Sequence, residues 1–470
     1  MLHLIHMIER RYGPARGRQL VGRIAIASLL LLALGLGIAL VPGKASAQAA
    51  TVDGTAIATR ALNHLDAGEY AQLEAMFSAE MAKAVPADKL KAVWESLPAQ
   101  VGTLSGRGDA QVMQQDGSTL VQVPLHFEKA GLVAKFAIDG GGKIAGFLVQ
   151  PAQAATVPAA AVPEDATFSE RELSVGDDDR ALPGTLAMPK GDGQPPGKLV
   201  PAVVLVHGSG PHDRDETIGP NKPFLDIARG LAAQGIAVLR YEKRSKARPQ
   251  DFASGVFGVD EETTNDAAQA VATLRGLDGI DPKRVFVLGH SQGGMMAPRI
   301  AAVSGHVAGL VLLAAPARSL LDIVIEQNRR LAVLDDGHTS DAERDAITAL
   351  VQQVRTTRDK ATDAATRTVM GLPAGYWRSI DGVDPVAEAR SVALPMLVLQ
   401  GARDIQVVDA DWQAWRGAFH DDPKVAFKLY EALNHLAMPG EGDGNLAEYQ
   451  QPNHVDPKLI DDVAGWIKAR

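Results

Sequence analysis

The sequence predicts an α/β protein: a mostly parallel sheet with helices on both faces and a helical insertion, preceded by a small α+β domain. Three observations carry this. From residue 199 onward, apolar β-branched runs alternate with amphipathic stretches, the pattern of parallel strands buried on both sides. Between residues 51 and 150 the hydrophobic period changes once, from three-and-four to two, so helices precede a meander. Residues 320–391 interrupt the strand–helix rhythm with charged helical sequence. At 470 residues the chain exceeds one ordinary core, which fits two domains with accessories.

Taken in order, the elements begin with Arg10, Arg11, Arg16, Arg18 and Arg23, an apolar stretch over 24–41, and then Ala45-Ser46-Ala47. Basic, apolar, then small-x-small is the order of a secretory signal. Residues 1–47 are therefore expected to be a signal peptide, and the body periplasmic or secreted. An apolar run of about 18 residues also approaches a bilayer span. If retained it anchors the exported body, the one membrane contact expected. In the 51–150 unit, residues 56–65, 70–84 and 87–97 read as helices. Residues 109–114, 120–127, 133–138 and 144–149 read as strands separated by Gly-containing turns. Residues 151–163, rich in Ala and Pro and uncharged up to Pro163, form a linker. Residues 168–198 form a lead-in hairpin to the second domain, which spans 165–470. Its strands are expected at 202–206, 237–241, 285–288, 310–313, 396–399 and 425–429. Helices are expected at 224–234, 262–274, 291–303 and 459–468, with the insertion at 320–391 acting as a cap.

Composition narrows the function classes. Net charge is -9, and residues 1–47 hold six of the 47 basic and one of the 56 acidic residues, so the body alone is more acidic still. An acidic body repels polyanions, which excludes nucleic acid as the main partner. Aromatics are only 5%, too few for base-stacking platforms. With no cysteine, the chain has no disulfide, thiolate metal site or Cys nucleophile.

The chemistry concentrates at strand ends. Gly289-His290-Ser291-Gln292-Gly293 follows one apolar strand and opens a helix. A nucleophilic serine needs such a tight strand-to-helix turn, and the helix start supplies unpaired N–H groups where an oxyanion forms. Upstream, His207-Gly208-Ser209-Gly210-Pro211 follows another strand, and Ser209 and Gln292 are the expected oxyanion donors, with Gly210 the close alternative to Ser209. Asp404, in Gly401-Ala402-Arg403-Asp404, lies after the 396–399 strand and suits the acid of a triad. His435, after the 425–429 strand, suits its base. His420 precedes that strand and His454 lies beyond the loop. Asp409 and Asp411 read as helix caps. His207, His212 and Asp213 lack the further ligands of a metal site, so none is assigned. Arg240-Tyr241-Glu242-Lys243-Arg244 ends another strand and reads first as ion-paired loop support, with a contact to a substrate carboxylate or phosphate as the alternative.

These motifs, HGSGPHDRDETIGPNKPF, RYEKR, GHSQGG, LVLQGARDIQV and LNHL, resemble the α/β-hydrolase superfamily, in particular its bacterial carboxylesterase and prolyl-oligopeptidase-like branch. The resemblance covers about residues 165–470 and implies an α/β-hydrolase fold that cleaves acyl esters, with Ser291, Asp404 and His435 in the family's catalytic positions. The charged Glu242-Lys243-Arg244-Ser245-Lys246 departs from the glycine-rich loop that members often carry there. The 51–150 unit is similar to small nuclear-transport-factor-like α+β domains, which bind, scaffold or dimerise. The expected substrate is a small acyl ester, with no cofactor. Two alternatives stay open: a serine peptidase acting on short or N-blocked peptides, and a catalytically inert exported binding protein.

Overall fold

The computed structural model describes residues 53–115, 118–128, 131–151, 161–176, 179–190, 199–334 and 337–470. The expected signal peptide, 1–47, lies outside the described residues, as does most of the expected linker 151–163. The described residues fall into two compact units, one within Met1–Ala155 and the other made of Thr156–Leu334 and His338–Arg470.

The first unit runs through α1 (Gly54–Asp66), α2 (Tyr70–Ala75), α3 (Ala79–Ala84) and α4 (Ala87–Val101) into a meander. The strands are β1 (Leu104–Arg107), β2 (Gln111–Gln115), β3 (Ser118–Phe127), β4 (Gly131–Ile138) and β5 (Ile144–Pro151). They pair antiparallel in the order β1-β3-β4-β5, with β2 also on β3. Alternation along β3 sends Val121, Val123, Leu125 and Phe127 into a core shared with Ala58, Leu62 and Leu65 of α1. The single helix expected over 70–84 is instead two. Phe77, 4% exposed, bridges Ile144, and Ser78 N donates to Ile144 O at 2.9 Å. Ser78 Oγ then caps α3 by accepting from Met81 N. Strand β1 had no sequence signal, being four residues without apolar alternation.

The second unit opens with the antiparallel hairpin β6 (Phe168–Val175) and β7 (Leu182–Pro189). Then come β8 (Val200–Val206), α5 (Pro223–Ala233), β9 (Ala237–Tyr241), α6 (Arg244–Ala247), a π turn (Asp260–Thr264), α7 (Asn265–Arg275), β10 (Ile280–His290) and α8 (Gln292–Ser304). After β11 (Leu310–Leu313) the insertion contributes α9 (Leu320–Leu334), α10 (Asp341–Arg358), α11 (Ala374–Asp381) and α12 (Pro385–Val392). The chain closes with β12 (Met396–Gly401), α13 (Asp409–Phe419), β13 (Val425–Tyr430) and α14 (Pro457–Lys468).

The sheet order is β13-β12-β11-β10-β8-β9-β7-β6, parallel from β13 to β9 and antiparallel at β7 and β6. Every residue of β8, β11 and β12 is buried, and the strand period explains why apolar runs are continuous there. Ala202, Val204 and Val206 enter one core with Val285, Val287, Leu310 and Leu312. Val203 and Leu205 enter the other, with Phe286, Leu288, Val311 and Leu313. Burying each larger aliphatic side chain stabilises the fold by about 1.5–3 kcal/mol. From β8 the chain steps to β9 on one side and then crosses to β10 on the other. That reversal leaves a crevice at the carboxyl ends of β8 and β10.

Candidate active site

The crevice is where β10 ends. Ser291 follows it with φ 52° and ψ -121°, a left-handed conformation that costs a non-glycine residue about 1–3 kcal/mol. The expected helix over 291–303 therefore starts one residue later, leaving Ser291 outside as the pivot. Its N–H donates to Leu313 O at 2.9 Å, and its carbonyl accepts from Met295 N at 3.0 Å. The turn needs a flanking glycine: a Cβ on Gly293 would sit 2.6 Å from His207 O and against Val206 O. On the facing loop, a Cβ on Gly208 would come 3.2 Å from Ser291 Cβ. The two loops named by the sequence are thus in close approach.

Asp404 and His435 are joined. His435 Nδ1 donates to Asp404 Oδ2 at 2.8 Å, with both residues buried. Asp404 also accepts from Gln406 N, Val407 N and Gln400 Nε2 at 2.8, 3.0 and 3.1 Å. The loops after β12 and β13 are zipped by Ala402 N to Tyr430 O and Arg403 N to Leu433 O. Asn434 Oδ1 shapes the second loop by accepting from Leu436 N and Met438 N. Arg403 donates to the carbonyls of Glu441 and Gly442 and pairs with Glu448, holding the following stretch.

Ser291 meets this pair through its neighbour. His290 Nε2 donates to His435 O at 2.9 Å, and the two rings lie 4.7 Å apart. His290 Nδ1 donates to Glu216 Oε2 at 2.9 Å, while Glu216 Oε1 accepts from Gly208 N at 2.6 Å. Burial alone pushes the Glu216 carboxyl up, but the charge and hydrogen bond of His290 outweigh it and bring it down to about 2. Burial likewise pushes His290 down, and Glu216 outweighs it, so its pKa is raised, in keeping with an acceptor facing each ring nitrogen. Burial lowers His207 to about 3, leaving a neutral ring whose Nε2 donates to Asp213 O. Because Glu216 occupies the Gly208 N–H, that group is not free for an oxyanion. Ser209 N–H has no acceptor among the described residues. Gln292 is the first residue of α8, where helical N–H groups have no intrahelical partner.

Other sequence candidates fall elsewhere. His420 and His454 lie on the surface, beside Asp421 and Asp226. Asp411 is not a cap: it is fully buried and accepts from Ala317 N and Arg318, while Val408 holds the cap position of α13. The RYEKR charges are paired, Arg240 with Asp215 and Glu170, Glu242 with Arg214, Arg244 with Asp251 and Asp266, and Lys243 with Glu262. Glu216, His290 and Glu262 went unnoticed in the sequence. His290 sits inside the GHSQGG string, and that was its only signal.

A model described as the alpha/beta hydrolase family matches residues 203–444. A second, described as protein of unknown function (DUF3887), matches residues 58–147. The chain is 34% identical to esterase EstD of Thermotoga maritima over 406 residues, 86% of this chain and 93% of the relative. Among solved structures it is similar to a Pyrococcus furiosus esterase, at 17% identity and TM-score 0.42, covering 67% of this chain and 95% of the other. It is also similar to a puromycin-hydrolyzing peptidase of Mycobacterium tuberculosis, at 18% identity and TM-score 0.42, covering 76% of this chain and 46% of the other.

Proposed function

The chain belongs to the alpha/beta hydrolase family, and on that premise we propose that it is an exported serine carboxylesterase acting on small acyl esters. The relative that matches 86% of the chain is an esterase. Ser291 Oγ attacks the ester carbonyl carbon while its proton passes to His435 Nε2. Asp404 holds the ring in that tautomer and stabilises the imidazolium. The carbonyl oxygen, now an oxyanion, takes hydrogen bonds from the Ser209 and Gln292 N–H groups. Collapse expels the alcohol, which receives the proton from His435, and leaves the acyl group on Ser291. Water then gives a proton to His435 and attacks the acyl carbon; the acyl–Oγ bond breaks, Ser291 Oγ takes the proton back from His435, and the carboxylic acid is released.

The observation that carries this reading is the buried Asp404–His435 bond, set beside the left-handed turn of Ser291. Export is supported by the segment order of residues 1–47. Fluorophosphonate labelling of the purified chain tests the nucleophile. Labelling of the parent and none of Ser291→Ala is expected; equal behaviour of the two sinks the enzyme reading. A panel of p-nitrophenyl esters against aminoacyl anilides tests the bond class, and cleavage of anilides without esters overturns the esterase assignment.

A further inference from the structure

Resting on that reading of Ser209 and Gln292, we infer that Lys243 and Glu262 are positioning residues that hold both oxyanion donors. Lys243 and Glu262 are 2% and 5% exposed, and Lys243 Nζ lies 2.7 Å from Glu262 Oε1. The same Nζ donates to Gly208 O at 2.7 Å. That carbonyl and the Ser209 N–H belong to one peptide unit. In a trans peptide the two point in opposite directions, and the described chain has no cis bond. Fixing Gly208 O on Lys243 therefore fixes the direction of the Ser209 N–H. A charged donor on the carbonyl also polarises the amide, which strengthens its N–H as a donor. The next peptide is held too, because His212 Nε2 donates to Ser209 O at 2.7 Å.

Glu262 reaches the second donor. Its Oε2 accepts from Gln292 Nε2 at 3.2 Å and from Thr263 Oγ1 at 2.6 Å. Gln292 is fully buried at the first position of α8, so anchoring its side chain steadies the turn that carries its own N–H. The Gln292 amide also lies 3.4 Å from Tyr376 OH, on α11 of the insertion. One buried carboxylate thus connects, through a lysine on one side and a glutamine on the other, the two peptides that face the developing charge. A salt bridge serving only stability has no need to end on the carbonyl of the oxyanion loop.

The test uses the full chain and p-nitrophenyl acetate. Lys243→Met is expected to lower kcat roughly 10- to 100-fold, less than full loss of a donor, with KM within about twofold. Lys243→Arg keeps a charged donor and is expected to recover part of kcat. Because Lys243→Met strands a buried carboxylate, the Lys243→Met/Glu262→Gln double variant provides the decisive arm. Restored thermal stability with kcat still low supports positioning, whereas kcat recovering together with the fold overturns it. Unchanged kcat in a folded Lys243→Met also overturns it. Failure of the underlying reading looks different: Ser291→Ala then turns over at the parent's rate.

Discussion

The two halves of the proposed site, that of Ser291 as nucleophile and that of Asp404 and His435 as acid and base, are held by different chemistry. On the nucleophile side, buried ions do the holding: Glu216 against His290, and Lys243 against Glu262. On the acid–base side, Asp404 is held mainly by neutral donors, two backbone N–H groups and the Gln400 amide, and its loop is zipped to that of His435 by main-chain bonds. Ions in a dry interior become costly when one partner is lost, whereas a loop held by many neutral bonds gives up only one of several when a single partner is changed. The Ser291 side is thus the more brittle half in stability, although the proposed mechanism calls on both halves.

Substitutions can break or sharpen that contrast. The largest effect on turnover is expected of Ser291→Ala, a fall in kcat of about 10⁴- to 10⁶-fold on p-nitrophenyl acetate. Asp404→Asn follows at about 10⁴-fold, because the wrong imidazole tautomer faces the serine. Stability reverses the order of the halves. Glu216→Gln, which touches no reacting atom, is expected to cost about 3–5 kcal/mol by denaturant melting. Asp404→Asn should cost less, and the contrast fails if it costs more.

The Glu216 effect also carries a pH signature. The Glu216 contribution, with its carboxyl lowered to about 2, is present above the ordinary carboxylate range and lost as pH falls toward about 2. The His290 contribution, with its pKa raised, is present below the ordinary histidine value and lost as pH rises through the raised one. Melting temperatures of parent and Glu216→Gln should differ most between about pH 4.5 and 6.5 and converge on either side. An equal difference across the range means that the ion pair is not the cause. The smallest effect belongs to the surface pair of His454 with Asp226. His454→Ala should change stability by less than about 0.5 kcal/mol and leave kcat within twofold.

The parallel sheet was legible because β8, β11 and β12 are buried on both faces, so their sequences are apolar apart from Gln400 near the end of β12. The pairing of Asp404 with His435 could be anticipated because each lies past the carboxyl end of a strand of this sheet, β12 for Asp404 and the partly exposed β13 for His435. The insertion stood out by its charge and helical period. The buried ions were not legible. Glu216 and His290 are 74 residues apart, and nothing local marks either as a partner. The same distance effect hides Asp411, whose partners Ala317 and Arg318 lie more than 90 residues upstream. The break at Phe77 was missed because an edge contact with Ile144, not local propensity, ends α2. Lys243 was read as loop support from its charged neighbours, and the pairing is there, but only coordinates show its second bond to Gly208 O.

The guanidinium of Arg403 gathers the carbonyls of Glu441 and Gly442 and the carboxylate of Glu448, one residue before Asp404. A largely irregular stretch of chain is thereby moored to the same short loop that presents the acid. Denaturation that slips this mooring frees Asp404 and His435 together, so heat inactivation in this half should proceed as one cooperative step, without a folded but idle intermediate.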